Sequence, residues 1–183
     1  MPFAALTIAG QAVTGDFSFE QKVIYAAPHP NWGSSGIELV DLDKDGDSDV
    51  LFTHGDTFDD SLLKPYHGVE WLENRGAYPF TAHALARLPG AHRARSLDMD
   101  GDGDLDLVVG RRDGQTTVLR NNGDNTFSTL ATPATGANPC SVAVADFDRD
   151  GLPDLATAES DSNRVTVLHN NGNNTFSTLA TPA

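Results

Sequence analysis

The chain is 183 residues long and strongly acidic, with 26 Asp and Glu against 12 Lys and Arg and a formal net charge of −14. No basic stripe is available to neutralise phosphates, which argues against nucleic acid, and the same deficit argues against docking on an anionic membrane. No run of about 18 apolar residues exists, so no membrane-spanning helix is predicted.

In chain order, Met1-Pro-Phe-Ala-Ala-Leu-Thr-Ile-Ala-Gly10 lacks the basic region and long apolar core of a signal peptide. Residues 15–24 read as the outer strand of a sheet within a lead-in, 15–35. A first unit, 36–88, follows, with short apolar runs at 36–40, 50–53, 69–72 and 80–83. Its first two runs flank an acidic stretch, Asp41-Leu-Asp43-Lys-Asp45-Gly46-Asp47-Ser-Asp49, and residues 56–67 form an insertion. A second unit, 89–134, has runs at 93–97, 105–110, 116–120 and 127–130, with Asp98-Met-Asp100-Gly-Asp102-Gly103-Asp104-Leu-Asp106 after the first. Arg93 and Arg95 are unusual in an inner run. They either meet an anionic ligand or, as the more common arrangement, pair with neighbouring acids. The third unit, 135–183, has runs at 141–145, 155–159, 164–169 and 176–179, with Asp146-Phe-Asp148-Arg-Asp150-Gly151-Leu152-Pro-Asp154 after the first. The one cysteine, Cys140, excludes an internal disulfide. With no charged neighbour to lower its pKa, it is expected to be a small buried strand residue.

The units repeat. Their acidic stretches begin at 41, 98 and 146, and each is followed by a marker: Asn74-Arg-Gly76 before Phe80, Asn121-Asn-Gly123 before Phe127, and Asn170-Asn-Gly172 before Phe176. Residues 121–134 and 170–183 agree at all but one position. Asn and Gly tolerate the positive φ of tight hairpins, so the marker reads as the turn between a third and a fourth strand. A period in the high forties with four short strands is the size of a propeller blade. The predicted class is all-β: three blades of four antiparallel strands, preceded by one outer strand.

The acidic stretches place carboxylates at positions 1, 3, 5 and 9 and a glycine at position 6. Carboxylates this close repel unless a hard cation sits among them. Ca²⁺ takes six to eight oxygens at about 2.3–2.6 Å with tolerant geometry, whereas Mg²⁺ demands a stricter octahedron and keeps more water. Position 7 is expected to contribute its backbone carbonyl, because Leu152 stands there in the third copy; position 9 closes the shell. An EF-hand is ruled out: position 12 is Phe52, Val109 or Thr157 rather than Glu, and the flanks are strands. One Ca²⁺ per loop, three per chain, is predicted, against the alternative of solvated acidic turns.

The motif Asp-x-Asp-x-Asp-Gly-x-x-Asp-apolar, set between two strands and followed by the Asn-x-Gly turn, resembles the FG-GAP/VCBS-type repeat of integrin α-subunit propellers and bacterial extracellular proteins. The resemblance covers residues from about 36 onward and implies calcium in the loop between the first two strands of each blade. Carried over by motif position, the implied ligands are Asp41, Asp43, Asp45, Asp47 and Asp49; Asp98, Asp100, Asp102, Asp104 and Asp106; and Asp146, Asp148, Asp150, Leu152 and Asp154. The literal Phe-Gly and Gly-Ala-Pro words are missing. Family propellers have more blades, and three cannot close a ring. Closure is therefore expected either from further sequence or from self-association of copies.

Ligand recognition is expected where aromatic and imidazole side chains reach loops: Trp32, Tyr66, His67 and Trp71, with blade packing as the competing role for Trp71. The six histidines show no zinc spacing, and neither a Gly-x-Ser-x-Gly elbow nor a phosphate loop occurs. The sequence thus predicts a non-catalytic, calcium-binding module for extracellular, cell-surface or periplasmic recognition, adhesion or assembly, with a protein or glycan ligand. The alternative is the accessory or substrate-binding part of a polysaccharide-active enzyme.

Overall fold

The alternating apolar runs form strands with the predicted centres. The structure, a computed structural model, describes residues 20–25, 34–54 and 67–180. The first sheet contains β1 (Ser34–Val40), β2 (Asp49–His54), β3 (Gly68–Glu73) and β4 (Thr81–Arg87). The second contains β5 (Ala91–Leu97), β6 (Asp106–Arg111), β7 (Gln115–Asn121) and β8 (Phe127–Ala131). The third contains β9 (Pro139–Ala145), β10 (Asp154–Glu159), β11 (Arg164–Asn170) and β12 (Phe176–Ala180). Every sheet is antiparallel and ordered as the chain runs. β1 lies beside β5, and β5 beside β9, so the first strands gather on the inside of a fan. These are four-stranded sheets of propeller-blade type, and no closure into a ring is seen among the described residues.

The period-2 alternation of strands decides what each blade buries. In β6, Leu107 and Val109 face the first blade and join Leu51, Val69 and Trp71 in one core; Val108 faces the third blade and joins Val142, Leu155 and Leu168 in another. β6 is consequently buried along almost its whole length, as a strand covered on both faces must be. The inner strands approach closely. A Cβ on Gly36 would lie 2.7 Å from the His92 carbonyl, and the Thr53 hydroxyl donates to that same oxygen at 2.6 Å. Of the two inner arginines, Arg95 and Arg93 act on Glu38, which accepts the Ser96 N–H at 2.9 Å. Their charges partly offset the burial that pushes the Glu38 carboxyl up, but among the described residues neither arginine makes an ion pair with an acid, and Arg93 Nε is buried without a hydrogen-bond partner.

Two expectations are corrected. Residues 20–24 are not a strand: the Ile24 carbonyl accepts one bond, from Phe80 N at 3.1 Å, and Tyr25 rests on Phe52 with ring centroids 5.8 Å apart. Residues 15–19 lie outside the described residues, as does the insertion from 56 to 66. Cys140 is exposed rather than buried. It sits at a bulge between Ala158 and Glu159 on a blade whose outer face has no further blade against it.

Glu159, at the end of β10, ties the linker between the second and third blades to the third. Its carboxylate accepts the Gly136 N–H at 2.6 Å and the Ser162 hydroxyl at 2.9 Å, with Arg164 Nε at 3.5 Å. Any side chain on Gly136 would collide with it. Burial pushes this carboxyl up, but bonds from Thr166, Gly136 and Ser162 and the Arg164 charge overcome that and hold it below the usual Glu range. A depressed folded pKa stabilises above the unfolded value of about 4.3 and is lost as pH falls through the folded one. Glu159→Gln is therefore expected to cost roughly 1–3 kcal/mol at neutral pH. The gap from the parent should shrink in urea titrations below about pH 4; a pH-independent gap would refute an ionised Glu159.

Candidate metal centres

Each acidic loop joins the first strand of its sheet to the second: 41–49 between β1 and β2, 98–106 between β5 and β6, and 146–154 between β9 and β10. Left-handed backbone recurs at position 4 (Lys44 φ 62°, Gly101 77°, Arg149 68°) and at position 6 (Gly46 95°, Gly103 93°, Gly151 90°). A side chain is most strained at the latter values, which accounts for the invariable glycine.

Backbone N–H groups hold the carboxylates in place. Position 1 accepts from position 6 at 3.0 Å in all three loops. Position 3 accepts from position 5 at 3.3, 3.2 and 3.2 Å, and position 5 from position 7 at 2.8, 2.9 and 2.9 Å. Three groups of carboxylate oxygens result, each within 4.8 Å of one another: Asp41, Asp43 and Asp45; Asp98, Asp100 and Asp106; Asp146, Asp148 and Asp154. Burial pushes the Asp43 carboxyl up, and Asp49, Asp45 and Glu73 add to it; burial likewise raises Asp106, helped by Asp100 and Asp102. Asp41 Oδ1 is buried with no protein donor. A dication among these oxygens would reverse each of those penalties. The three carboxylate groups are hard oxygen donors, which fits Ca²⁺ or Mg²⁺ and not a thiolate-seeking metal; in the third loop a further group adds the His169 imidazole to Asp148 and Asp150.

Position 9 is more than a ligand. Asp49, Asp106 and Asp154 are fully buried. One oxygen of each accepts the N–H of position 2, from Leu42 at 3.1 Å and from Met99 and Phe147 at 2.9 Å. The other accepts from the marker asparagine on the third strand: Asn74 at 2.8 Å, Asn121 and Asn170 at 2.9 Å. Those asparagines in turn bond the carbonyl before position 9 and the N–H of the marker glycine. The acidic stretch and the Asn-x-Gly word, 25, 15 and 16 residues apart, are two halves of one clasp.

Sequence reasoning missed the residue just before the marker asparagine, which stands over the loop. In the first blade it is Glu73, drawn down by Arg75 at 2.7 Å and His83 at 2.8 Å. In the second it is Arg120, 2.8 Å from Asp100 and 3.2 Å from Asp102, while Lys44 reaches Asp104 at 2.6 Å from the first loop. In the third it is His169, whose Nδ1 lies 3.0 Å from Asp148 and 3.3 Å from Asp154. Three loops with one motif therefore carry an acid, a fixed cation and an imidazole. The fixed offset from the asparagine is the signal that would have found them.

Of the remaining predicted residues, Asp47 is exposed and Leu152 donates its N–H to Asp150. Trp32 and Tyr66 lie outside the described residues. His67 and Trp71 are buried, Trp71 stacked on His83 with centroids 4.6 Å apart. Packing in the core between blades accounts for most of the Trp71 ring. A groove of about 730 Å³ opens between the first two blades, with Trp71, Asp43, Glu73, Arg75, His83 and Asp124 on its walls.

The blades and loops define a class, four-stranded propeller-type repeats closed at the inner hairpin by an acidic loop. The profile of the FG-GAP-like repeat matches residues 98–157 and 146–183, so residues 98–183 carry FG-GAP-like repeats. The first blade repeats their loop and clasp. Among solved structures the chain is similar to rhamnogalacturonan lyase YesW, at 15% identity and a TM-score of 0.47, over 82% of this chain and 34% of that one. The chain thus spans about a third of that enzyme's length. No curated protein sequence matches it.

Proposed function

We propose that the chain is a calcium-binding, non-catalytic propeller module serving recognition or assembly outside the cell or on its surface. The observation that carries the calcium reading is a carboxylate cluster in each of three loops held by the same backbone bonds. Exposed loops of this kind suit compartments where free calcium is plentiful, at Kd values of about 10⁻⁴–10⁻³ M. The recognition half rests on the polar groove between the first two blades, whose walls suit a hydroxyl-rich or peptidic ligand more than an apolar one.

Calorimetric titration of the chelator-stripped protein is expected to show three Ca²⁺ per chain, with the second loop filling last because Lys44 and Arg120 already sit on its acids. Asp148→Ala should leave two. Loss of all three sites together would mean that the blade, not a ligand, had been removed; no calcium heat at all would refute the reading. A glycan array probed in calcium and in chelator addresses the ligand, and silence in both conditions counts against glycan recognition.

A further inference from the structure

The side chain just before the marker asparagine stands over the same place in each loop, yet its chemistry differs from blade to blade. Glu73 is turned to Arg75 and His83. Arg120 is a charge already in place, donating to Asp102 at 3.2 Å. His169 brings a ring nitrogen instead. Its Nδ1 lies 3.0 Å from Asp148 Oδ2 and 3.3 Å from Asp154 Oδ1, and its Nε2 lies 3.9 Å from Asp150 Oδ2.

We propose that Asp148, Asp150 and His169 make the third loop a mixed nitrogen–oxygen site that takes Zn²⁺ in preference to Ca²⁺. This rests on the metal-centre reading of the loops and changes the ion at one of them. The three residues come from two elements, the loop and β11, and each offers a ligand atom within 4.8 Å of the others. Both carboxylates are already oriented. Oδ1 of Asp148 accepts the Asp150 N–H at 3.2 Å and Oδ1 of Asp150 accepts the Leu152 N–H at 2.9 Å, which leaves Oδ2 of each on the imidazole side. Outer bonds that fix a ligand in this way strengthen its hold on a metal.

The ring itself supplies an independent observation. Nδ1 is buried and, among the described residues, makes no hydrogen bond, although a carboxylate oxygen stands 3.0 Å away. Arg120 shows what simple charge neutralisation looks like in this slot, because its guanidinium does donate to the loop. The His169 nitrogen is within reach of the oxygen but not in hydrogen-bond geometry, as two ligands of one ion are. At about 2.0–2.2 Å from Zn²⁺ and about 90–110° apart, such ligands lie about 2.8–3.6 Å from each other.

The loop also offers calcium less. Position 7 is Asp47 or Asp104 in the other two loops and Leu152 here, so the third loop holds four carboxylates rather than five. Ca²⁺ takes six to eight oxygens, whereas Zn²⁺ accepts imidazole nitrogen and carboxylate oxygen together and is satisfied by four ligands, the last a water. Asp148 and Asp150 are exposed, which gives the ion and that water a way in.

The test is a calorimetric titration of Zn²⁺ into the untagged, chelator-stripped protein in millimolar calcium. The parent is expected to take one Zn²⁺ per chain. His169→Gln should bind it at least about tenfold more weakly, since altering residues one bond further from a metal already costs about 10–100-fold. Its calcium binding, measured without zinc, should equal the parent's. His169→Arg copies the second blade and so guards against a folding artefact: it should keep the parental circular dichroism in chelator and take no zinc at this loop. Co²⁺ in place of Zn²⁺ should give a visible spectrum that changes in His169→Gln, as it must if a nitrogen leaves the shell. Zinc held equally by the parent and His169→Gln, zinc displaced by millimolar calcium, or a cobalt spectrum indifferent to His169 overturns the inference and leaves the calcium reading intact. His169-dependent zinc with no calcium heat at any loop supports the inference and removes the calcium reading instead.

Discussion

In excess chelator the protein is expected to melt about 2–16 °C below its midpoint in millimolar calcium. Fourteen of the 26 acids stand in the three loops, where they hold one another within a few ångströms and, at Asp43 and Asp106, against burial as well. At a Kd of about 10⁻⁴–10⁻³ M, a site in millimolar calcium is filled at about 1–10 times its Kd and stabilises by about 0.4–1.4 kcal/mol, so three sites supply about 1–4 kcal/mol. A chain of this length shifts by about 2–4 °C per kcal/mol. Thermal melts by circular dichroism, with calcium and with chelator, measure the difference directly. An unchanged midpoint would show that the loops fold as solvated turns and would refute the metal-centre reading.

The second large effect lies at position 9. Asp106→Ala is expected to cost about 3–5 kcal/mol, because it strands two buried donors, Met99 N and Asn121 N, each worth roughly 1–3 kcal/mol when left unpaired. This loss should persist in chelator. Asp148→Ala removes an exposed carboxylate that accepts from its own loop and lies 3.0 Å from His169 Nδ1 but leaves no buried donor stranded, so most of its deficit should vanish once calcium is gone. Urea midpoints of the two variants in both conditions separate clasp from ligand. If the Asp106→Ala deficit also disappears in chelator, position 9 acts only through the metal and the clasp is idle.

Local features were legible in the sequence, and features made by distant packing were not. The loops could be read because nine consecutive residues hold every carboxylate and the glycine that bends them. The strands could be read because alternation over five residues is enough to mark a face. The clasp was half legible: Asn-x-Gly announced a turn, but its bond to Asp49, Asp106 or Asp154 forms only when the third strand is in register with the second. Glu73, Arg120 and His169 were hidden for the same reason. Cys140 was placed in the right strand and on the wrong side of the burial line, because alternation says which residues share a face and not whether anything covers it. Trp71 and His67 looked like loop aromatics beside an insertion, yet β3 begins at Gly68 and carries Trp71 into the core between blades.

β8 and β12 have the same sequence, Phe-Ser-Thr-Leu-Ala, yet Leu130 is covered and Leu179 is bare. A residue's surroundings here are set by its rank in the row, not by its own unit. Each unit carries a knob on one side and a socket on the other, so a duplicated stretch of coding sequence mates with its template without any compensating change. Such an architecture can lengthen by copying alone. The near-identity of 121–134 and 170–183 shows how little two neighbouring units need differ to sit in different surroundings.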